Sequence, residues 1–301
     1  MKNNIILALG SDIKNRFLIG DQGGLVFGPD IGDLQEAKNY ELFKDEINKA
    51  IRKKKPKIIA CDLHPDYFSS RFARGLKIPN SEVRGIQHHH AHIGSVIREH
   101  NLKGPLIGVA FDGTGYGTDG NVWGGEFFTI DKKGFKRSAH LKYYMMPGGD
   151  KVVAEPWRII LAILGEKAVS LIREVGKSEK DMVFSILSKK INSPLSSGAG
   201  RIFDGAAALL GISVYAYYEA EGPIKLEAMC RNDIKGAYEF KILKKKDCSM
   251  IDTEPLFLGM VKDLKKKFEK LVKMCDKYGE YKEAEFEEEM ERGIVRAEKA
   301  K

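Results

Sequence analysis

The chain has 301 residues, of which 43% are hydrophobic and 31% are charged, a balance typical of a globular protein with a buried core. This length fits one large domain or two lobes of roughly 100–200 residues each. The net charge of +8 would suit a nucleic-acid-binding protein, but the lysines occur in clusters that are not interleaved with aromatic residues, and this distribution argues against such a function.

The first sixty residues predict three strands, a helix and a fourth strand. Short apolar runs separated by glycine-containing turns predict strands at residues 5–9, 16–19 and 25–27. Apolar residues at helical spacing predict a helix from residue 33 to about residue 53, with Asp33 as its N-cap. Pro56 ends that helix, and residues 57–61 read as a buried strand. This order is typical of the opening of a ribonuclease-H-like lobe.

A second β-rich opening follows, so we predict an α/β fold of two ribonuclease-H-like lobes with a cleft between them. Strands are predicted at residues 106–111, 123–130 and 135–144, followed by a mostly helical region at 153–229. The predicted parts are a first lobe with the histidine-rich helix (1–104), a second lobe with a helical insertion (105–254) and a charged helical tail (255–301). We expect the second lobe to lack its closing strands.

Five of the seven histidines fall between positions 88 and 100. On a helix, His88 and His92 are one turn apart and share a face, which lets two imidazoles bind one metal ion. His89 and His90 point elsewhere and are candidates for supporting or substrate-binding groups. The alternative is a polar helix start with no ligand, but four histidines in five residues favour a metal site.

A glycine-rich run at residues 110–120 leaves an apolar strand and contains Asp112, Gly113, Thr114 and Gly115. Glycines let backbone N–H groups wrap an anion, and an aspartate at a strand end can hold a metal ion or a water molecule. No Walker lysine follows, and the pattern instead resembles the strand–turn–strand phosphate loops of actin-like ATPases. The alternative interpretation is a glycine hairpin without a ligand.

Three shorter clusters add candidates. A turn at residues 148–150 carries a carboxylate, and residues 155–158 begin a helix with proline in its first turn, which leaves Arg158 able to reach an anion. Residues 196–201 precede a helix at 202–210, whose N-terminus would favour a phosphate. Ordinary turns and helix caps explain each cluster equally well.

These motifs occur in the order found in the C-terminal carbamoyltransferase domain of the HypF family, which the chain resembles over about residues 5–265. The segments that carry the resemblance are LALGSDIKN (7–15), ACDLHPDY (60–67), QHHHAHIGSV (87–96), GVAFDGTGYGTDGNVWGGEF (108–127), MPGGD (146–150), EPWR (155–158) and SSGAGRIFDGAAALLG (196–211). The resemblance implies an ASKHA (actin-like ATPase) fold that binds a divalent metal, iron or zinc, together with ATP or carbamoyl-adenylate. It also implies transfer of the carbamoyl group to the thiol of a HypE-like acceptor during nickel–iron hydrogenase maturation.

Carried onto this sequence, the resemblance assigns three sets of residues. The metal ligands are His88, His92 and Asp112, and the catalytic candidates are His89 and Arg158. The nucleotide site is formed by Lys14, Gly113, Thr114, Gly115, Gly198, Arg201 and Asp204.

Two departures from the family pattern shape the expected partners. The chain has no YrdC-like part to make carbamoyl-adenylate, and it lacks the family's late nucleotide and metal motifs. We therefore expect a transferase that works with a separately encoded N-terminal HypF part and with a chain completing lobe two. The alternatives are a non-catalytic, truncated nucleotide- and metal-binding or regulatory module, and a relative of tRNA-modifying transferases, which the basic charge favours.

The expected location is a reduced, cytoplasmic compartment. The four cysteines are too widely spaced for a zinc ribbon or a disulfide framework. No apolar run approaches the roughly 20 residues that cross a bilayer, and the start of the chain shows no cleavage-like site. We therefore expect neither a membrane span nor a secretory signal.

Overall fold

The computed structural model describes residues 5–21, 23–231, 233–234 and 236–278. The chain divides into two compact units, Met1–Gly104 with Gly115–Asn121, and Pro105–Thr114 with Val122–Lys301. Each unit contains one mixed sheet with helices, so the predicted α/β class is confirmed. Among the residues that the structure describes, no helix has the length and apolar character required to cross a membrane.

Unit 1 is built on a five-stranded sheet with the order β3-β2-β1-β4-β5. Its strands are β1 (Ile6–Ala8), β2 (Leu18–Asp21), β3 (Gly24–Phe27), β4 (Ile58–Asp62) and β5 (Glu82–Ile86). Its helices are α1 (Ala37–Lys54), α2 (Phe68–Gly75) and α3 (His88–Glu99). The first three strands are antiparallel, whereas β1, β4 and β5 run parallel, in agreement with the predicted ribonuclease-H-like opening.

Helix α1 packs its apolar side into the core of unit 1, where Phe43 and Ile47 are fully buried together with Leu7, Leu9 and Ile59. Alternating burial along β4 explains why a short apolar run forms a strand there.

The predicted start of α1 was wrong. The helix begins at Ala37 after Glu36, because the Asp33 carboxylate instead accepts the N–H of Gln35 (2.9 Å) and closes a turn. At the other end, Lys55 adopts a left-handed conformation (φ 49°) directly before Pro56, and the helix stops there as predicted.

Unit 2 contains seven strands within the described ranges, in the order β11-β12-β8-β7-β10-β9, with β6 also paired to β7. The strands are β6 (Leu106–Tyr116), β7 (Val122–Asp131), β8 (Gly134–Leu141), β9 (Tyr144–Met145), β10 (Leu195–Ser196), β11 (Lys241–Leu243) and β12 (Ser249–Asp252). The helices are α4 (Lys151–Ala154), α5 (Trp157–Leu164), α6 (Lys177–Lys189), α7 (Ala199–Leu209), α8 (Glu221–Ala228) and α9 (Glu254–Tyr278), and Gly165–Ala168 forms a 3-10 turn.

Helix α5 forms the centre of the core of unit 2. Six of its eight residues are buried, and Trp157, Ile159 and Ile160 have no exposed surface. A helix with six of its eight residues buried must be surrounded by other elements, and α5 contacts α6, α7 and α9.

Three predictions in unit 2 are corrected. The glycine-rich run is not a turn after residue 111: β6 continues to Tyr116, so Asp112 lies within a strand and the turn follows at residues 117–121. Helix α7 begins at Ala199, three residues earlier than predicted, so Arg201 lies inside it. Strands β11 and β12 were not predicted. The helical tail is present as α9 up to Tyr278, and residues 279–301 lie outside the described residues.

Candidate functional site

The histidine run forms the start of α3, and the predicted helix there is confirmed. Gln87 caps the helix, because its side-chain oxygen accepts the N–H of His90 (3.0 Å). One helical turn then separates His88 from His92, and their Nε2 atoms lie 3.1 Å apart. Two imidazole nitrogens directed at the same point form the beginning of a metal-binding group.

The carboxylate of Asp62, at the end of β4, lies against the first histidine. Its Oδ2 atom is 2.8 Å from His88 Nδ1, and its Oδ1 atom accepts the N–H of His64 (2.8 Å). Burial opposes ionisation of Asp62, but the hydrogen bonds with His88 and His64 outweigh it and lower the pKa of Asp62 below its ordinary value. An ionised carboxylate only accepts hydrogen bonds, so His88 Nδ1 carries a proton.

His89 is fully buried behind this pair. Its Nδ1 atom lies 3.1 Å from the side-chain nitrogen of Gln87, which also donates to the carbonyl of Tyr116 (3.1 Å). Gly115 faces the same ring: a Cβ atom there would lie 2.6 Å from His89 Cε1 and 3.0 Å from His88 Cδ2. Burial also lowers the pKa of His90, which keeps that ring neutral. The catalytic role of His89 stays a prediction.

A cavity of about 390 Å³ opens beside the histidine pair within unit 1. It is lined by Ala8, Gly10, Ser11, Ala60, Cys61, Asp62, Ile86, His88, Ala91, His92 and Ser95. Among these described residues there is no lysine or arginine. Burial raises the pKa of the Cys61 thiol, so this cysteine is neutral and poorly reactive.

In unit 2, glycines bring β6, β7 and the start of α7 into backbone contact. A Cβ atom on Gly124 would lie 2.6 Å from the carbonyl oxygen of Asp112 and 2.9 Å from the Cα atom of Gly198. One on Gly200 would lie 2.9 Å from the Cα atom of Gly113. Only glycine permits these approaches, and they place the N–H groups of the first turn of α7 beside the strand that carries Asp112.

Arg201 and Asp204 form a buried ion pair on α7, with Nε and Oδ2 2.7 Å apart. Burial raises the pKa of Asp204 despite the opposing charge of Arg201. The guanidinium of Arg201 lies against Gly113, since a Cβ atom on that glycine would be 3.4 Å from Nη2. Three of the predicted nucleotide-site residues are therefore neighbours in unit 2.

The other predicted site residues are Asp112, Thr114, Lys14 and Arg158, and their contacts and exposure are as follows. Asp112 accepts the N–H of Gly113 (2.6 Å) through Oδ1, and Thr114 is exposed. Lys14 is exposed in the loop after β1, with a left-handed backbone (φ 50°). Arg158 is buried and paired with Glu155 (Nη2 to Oε2 2.5 Å), so its predicted reach toward an anion competes with that contact.

Two acidic residues of the site were not singled out from the sequence. One is Asp62. The other is Glu126, which is fully buried in β7 and accepts the hydroxyl of Ser197 (2.5 Å) and the N–H of Gly124 (3.2 Å) through one oxygen. Its other oxygen accepts Arg137 Nε (2.6 Å), whose guanidinium stacks on the Trp123 ring at 3.7 Å. A carboxylate in an otherwise apolar strand was the available signal for both.

Comparison with known proteins identifies the family of the chain. A family profile described as "HypF Kae1-like domain" matches residues 1–99, and one described as "Carbamoyltransferase, Kae1-like Domain, second subdomain" matches residues 108–277. The solved structure of full-length HypF in the phosphate- and nucleotide-bound form superimposes with a TM-score of 0.80 and 34% identity, over 88% of this chain and 36% of that one. HypF from T. kodakarensis gives 0.72 and 30%, over 87% and 37%.

Curated relatives are also similar to the chain. Carbamoyltransferase HypF2 of Cupriavidus necator is 37% identical over 75% of this chain and 29% of its own length. The Carbamoyltransferase HypF homolog of the same organism is 36% identical over 74% and 59%. Carbamoyltransferase HypF of Synechocystis sp. is 32% identical over 83% and 36%. The chain thus spans between about a third and three fifths of these relatives, and it belongs to the HypF family, in the C-terminal Kae1-like domain with its ASKHA-type fold.

Proposed function

We propose that this chain performs HypF-type carbamoyl transfer in nickel–iron hydrogenase maturation. The thiol sulfur of a HypE-like acceptor forms a bond to the carbamoyl carbon of carbamoyl-adenylate, the bond from that carbon to the phosphate breaks, and AMP and the thiol proton are released. The observation that carries the proposal is the pair of Nε2 atoms of His88 and His92, 3.1 Å apart, with Asp62 on the far side of the first ring. A helix start of this kind has no structural need for two converging imidazoles, whereas a metal site does.

The metal ligands in this proposal are His88, His92 and Asp112, and the ion is iron or zinc. The donor set fits a divalent ion, because imidazole nitrogen and carboxylate oxygen suit both metals. Asp112, on β6, is the third ligand that the family resemblance assigns. When bound, the metal supplies Lewis-acid polarisation of the carbamoyl carbonyl.

The nucleotide is proposed to bind through the glycines of β6 and α7, namely Gly113, Gly115 and Gly198, with Thr114 and Lys14 at its phosphates. The support is the backbone approach at Gly113, which leaves N–H groups at the first turn of α7 for an anion. Asp204 holds the Arg201 guanidinium in place by their 2.7 Å ion pair, so this cation is oriented before the ligand arrives.

His89 is the proposed hydrogen-bond donor to the carbamoyl oxygen. The side-chain nitrogen of Gln87 is only a donor, so His89 Nδ1 accepts and Nε2 carries the proton of the neutral ring. A donor held by burial at this position stabilises negative charge that develops on the carbamoyl oxygen. Arg158 is the weaker catalytic candidate, because it must leave Glu155 to reach a substrate.

The cavity in unit 1 supports an uncharged acceptor. Its described lining includes one carboxylate, Asp62, and no lysine or arginine, so it favours a neutral thiol over an anionic group. The small side chains at Ala60, Ala91 and Ser95 leave room for such a group beside His92.

The proposed partners are the HypE-like acceptor, the N-terminal HypF part that makes the adenylate, and a further strand that completes lobe two. Within the described ranges β6 pairs with β7 and with no other strand. Alternate side chains along it, Ile107, Val109 and Phe111, are 79%, 49% and 60% exposed. A strand edge of this kind supports pairing with a further strand, and the exposed apolar side chains support packing of a partner against the same face.

The test is an anaerobic calorimetric titration of ATP into iron(II)-loaded protein, for the wild type and for the His88→Ala/His92→Ala double variant. His100→Ala, an exposed histidine at the end of α3, is the matched control. We expect the wild type and the control to bind ATP and the double variant to lose metal and metal-dependent ATP binding. If the wild type binds both but never carbamoylates a HypE-like acceptor supplied with carbamoyl-adenylate, the non-catalytic binding module is the correct interpretation.

A further inference from the structure

We infer that Asp62 is a positioning residue that fixes the ring and the proton of His88 for metal binding. This inference rests on the proposed metal site and adds a residue that lies outside the motifs from which the ligands were assigned. It concerns a contact across 26 residues of sequence, between the end of β4 and the start of α3.

The carboxylate of Asp62 is held at both oxygens. Oδ1 accepts the N–H of His64 at 2.8 Å, and Oδ2 lies 2.8 Å from His88 Nδ1. The backbone is fixed as well, since the carbonyl of Asp62 accepts the Ser70 hydroxyl (2.8 Å) and its Cα is paired with that of Ile86 on β5. Because α3 begins two residues after Ile86, the sheet register itself places the carboxylate beside His88.

This contact determines which nitrogen of His88 is available to a metal. A carboxylate at Nδ1 retains the proton there, so Nε2 keeps its lone pair, and Nε2 is the atom that lies 3.1 Å from Nε2 of His92. Without the carboxylate, the ring can place its proton on Nε2 or rotate about its side-chain bonds. Either change removes one of the two converging ligand atoms.

Substituting Asp62 with asparagine separates this role from a structural one. An asparagine side chain has nearly the same shape and keeps an oxygen for the N–H of His64, and the bonds of Ser70 and Ile86 involve only the backbone of this position. The change therefore removes the charge that orients His88 while preserving the packing of β4. Asp66→Asn is the matched control, because it removes the same charge four residues later at an exposed position.

The experiment is a titration of the metal-free full chain with cobalt(II), followed by its absorption bands, and with zinc(II) by competition against a chromophoric chelator. Partners of metal-binding histidines typically contribute 10–100-fold to metal affinity. We expect Asp62→Asn to raise the Kd by about 10–100-fold and to shift the cobalt bands, with the thermal midpoint of the metal-free protein unchanged. Asp66→Asn should behave like the wild type.

The outcomes separate this inference from the metal site itself. If His88→Ala/His92→Ala loses metal but Asp62→Asn binds within twofold of the wild type, Asp62 does not position His88 and the metal site stands. If the double histidine variant binds metal normally, both proposals are wrong. Should Asp62→Asn fail to fold, Asp62→Glu takes its place: a displaced carboxylate should weaken binding and shift the cobalt bands, and an unchanged Kd and spectrum overturn the inference.

Discussion

Gly124 lies against the backbone of Asp112 on β6 and of Gly198 at the start of α7. Gly124→Ala tests whether this close approach of the backbones is required. The added Cβ would lie 2.6 Å from the carbonyl oxygen of Asp112, against about 3.3 Å for a normal contact between carbon and oxygen. It would also lie 2.9 Å from the Cα of Gly198. Both neighbours are backbone atoms, so β6 or the start of α7 must move by about 0.7 Å, the difference between those two distances to oxygen.

Overpacking of this kind costs about 1–3 kcal/mol, and the lower entropy of an unfolded chain with alanine returns about 0.4–1 kcal/mol. We therefore expect Gly124→Ala to lower the free energy of unfolding by about 1.3 kcal/mol, the difference between the midpoints of these two ranges. The displaced backbone carries Asp112 and the first turn of α7, so we also expect about a tenfold loss of nucleotide affinity, because binding sites tolerate displacements of only about 0.5 Å.

The assays are urea unfolding followed by circular dichroism and calorimetric titration with ATP in the presence of metal. Gly94→Ala is the control, since a Cβ there meets no atom within 4 Å and lies in helix α3, where alanine is favoured over glycine by up to about 1 kcal/mol. If Gly124→Ala is as stable as the wild type and binds ATP equally well, the contact among Asp112, Gly124 and Gly198 is not the one that forms the site.

The buried contacts of unit 2 and the glycine beside the histidine rings give three further expectations. Glu126→Gln removes a fully buried charge that pairs with Arg137, so it should lower the free energy of unfolding by about 3 kcal/mol. The measurement is urea unfolding, with Glu99→Gln, a variant of an exposed residue, as the control. A loss below about 1 kcal/mol contradicts the expectation. Burial raises the pKa of Tyr144, whose hydroxyl donates a hydrogen bond to the carbonyl of Gly198. The protonated hydroxyl therefore stabilises the folded state fully below the pKa of about 10 in the unfolded chain, and this stabilisation is lost as the pH rises toward the pKa in the folded state. The stability difference between wild type and Tyr144→Phe should therefore shrink above about pH 10 in alkaline unfolding, and a constant difference argues against this. Gly115→Ala would place a methyl group 2.6 Å from the His89 ring and 3.0 Å from the His88 ring, so cobalt(II) binding should weaken at least about tenfold; unchanged binding shows that the rings can adjust.

Local patterns in the sequence were sufficient for much of the architecture. The alternation of apolar runs with turns indicated β1 to β4 of unit 1 but not β5, and the H-x-x-x-H spacing indicated a helix with two histidines on one face, which α3 confirms. The errors lie at element ends and in strands that were not predicted, such as β11 and β12. The Asx turn at Asp33 displaced the start of α1, and β6 continues to Tyr116 through glycines, which have a low local propensity for strands.

The sequence by itself determined that the protein is α/β, that it belongs among HypF-like domains, and that a histidine pair sits at a helix start. The fold class and the histidine pair depend on the spacing of residues within single helices and strands, and the family assignment depends on the order of the motifs. Only the tertiary structure decided what supports them: Asp62 reaches His88 across 26 positions, and Glu126 reaches Ser197 across 71. Such contacts depend on sheet register and on the burial of whole elements, which arise from the collective packing of residues far apart in the chain.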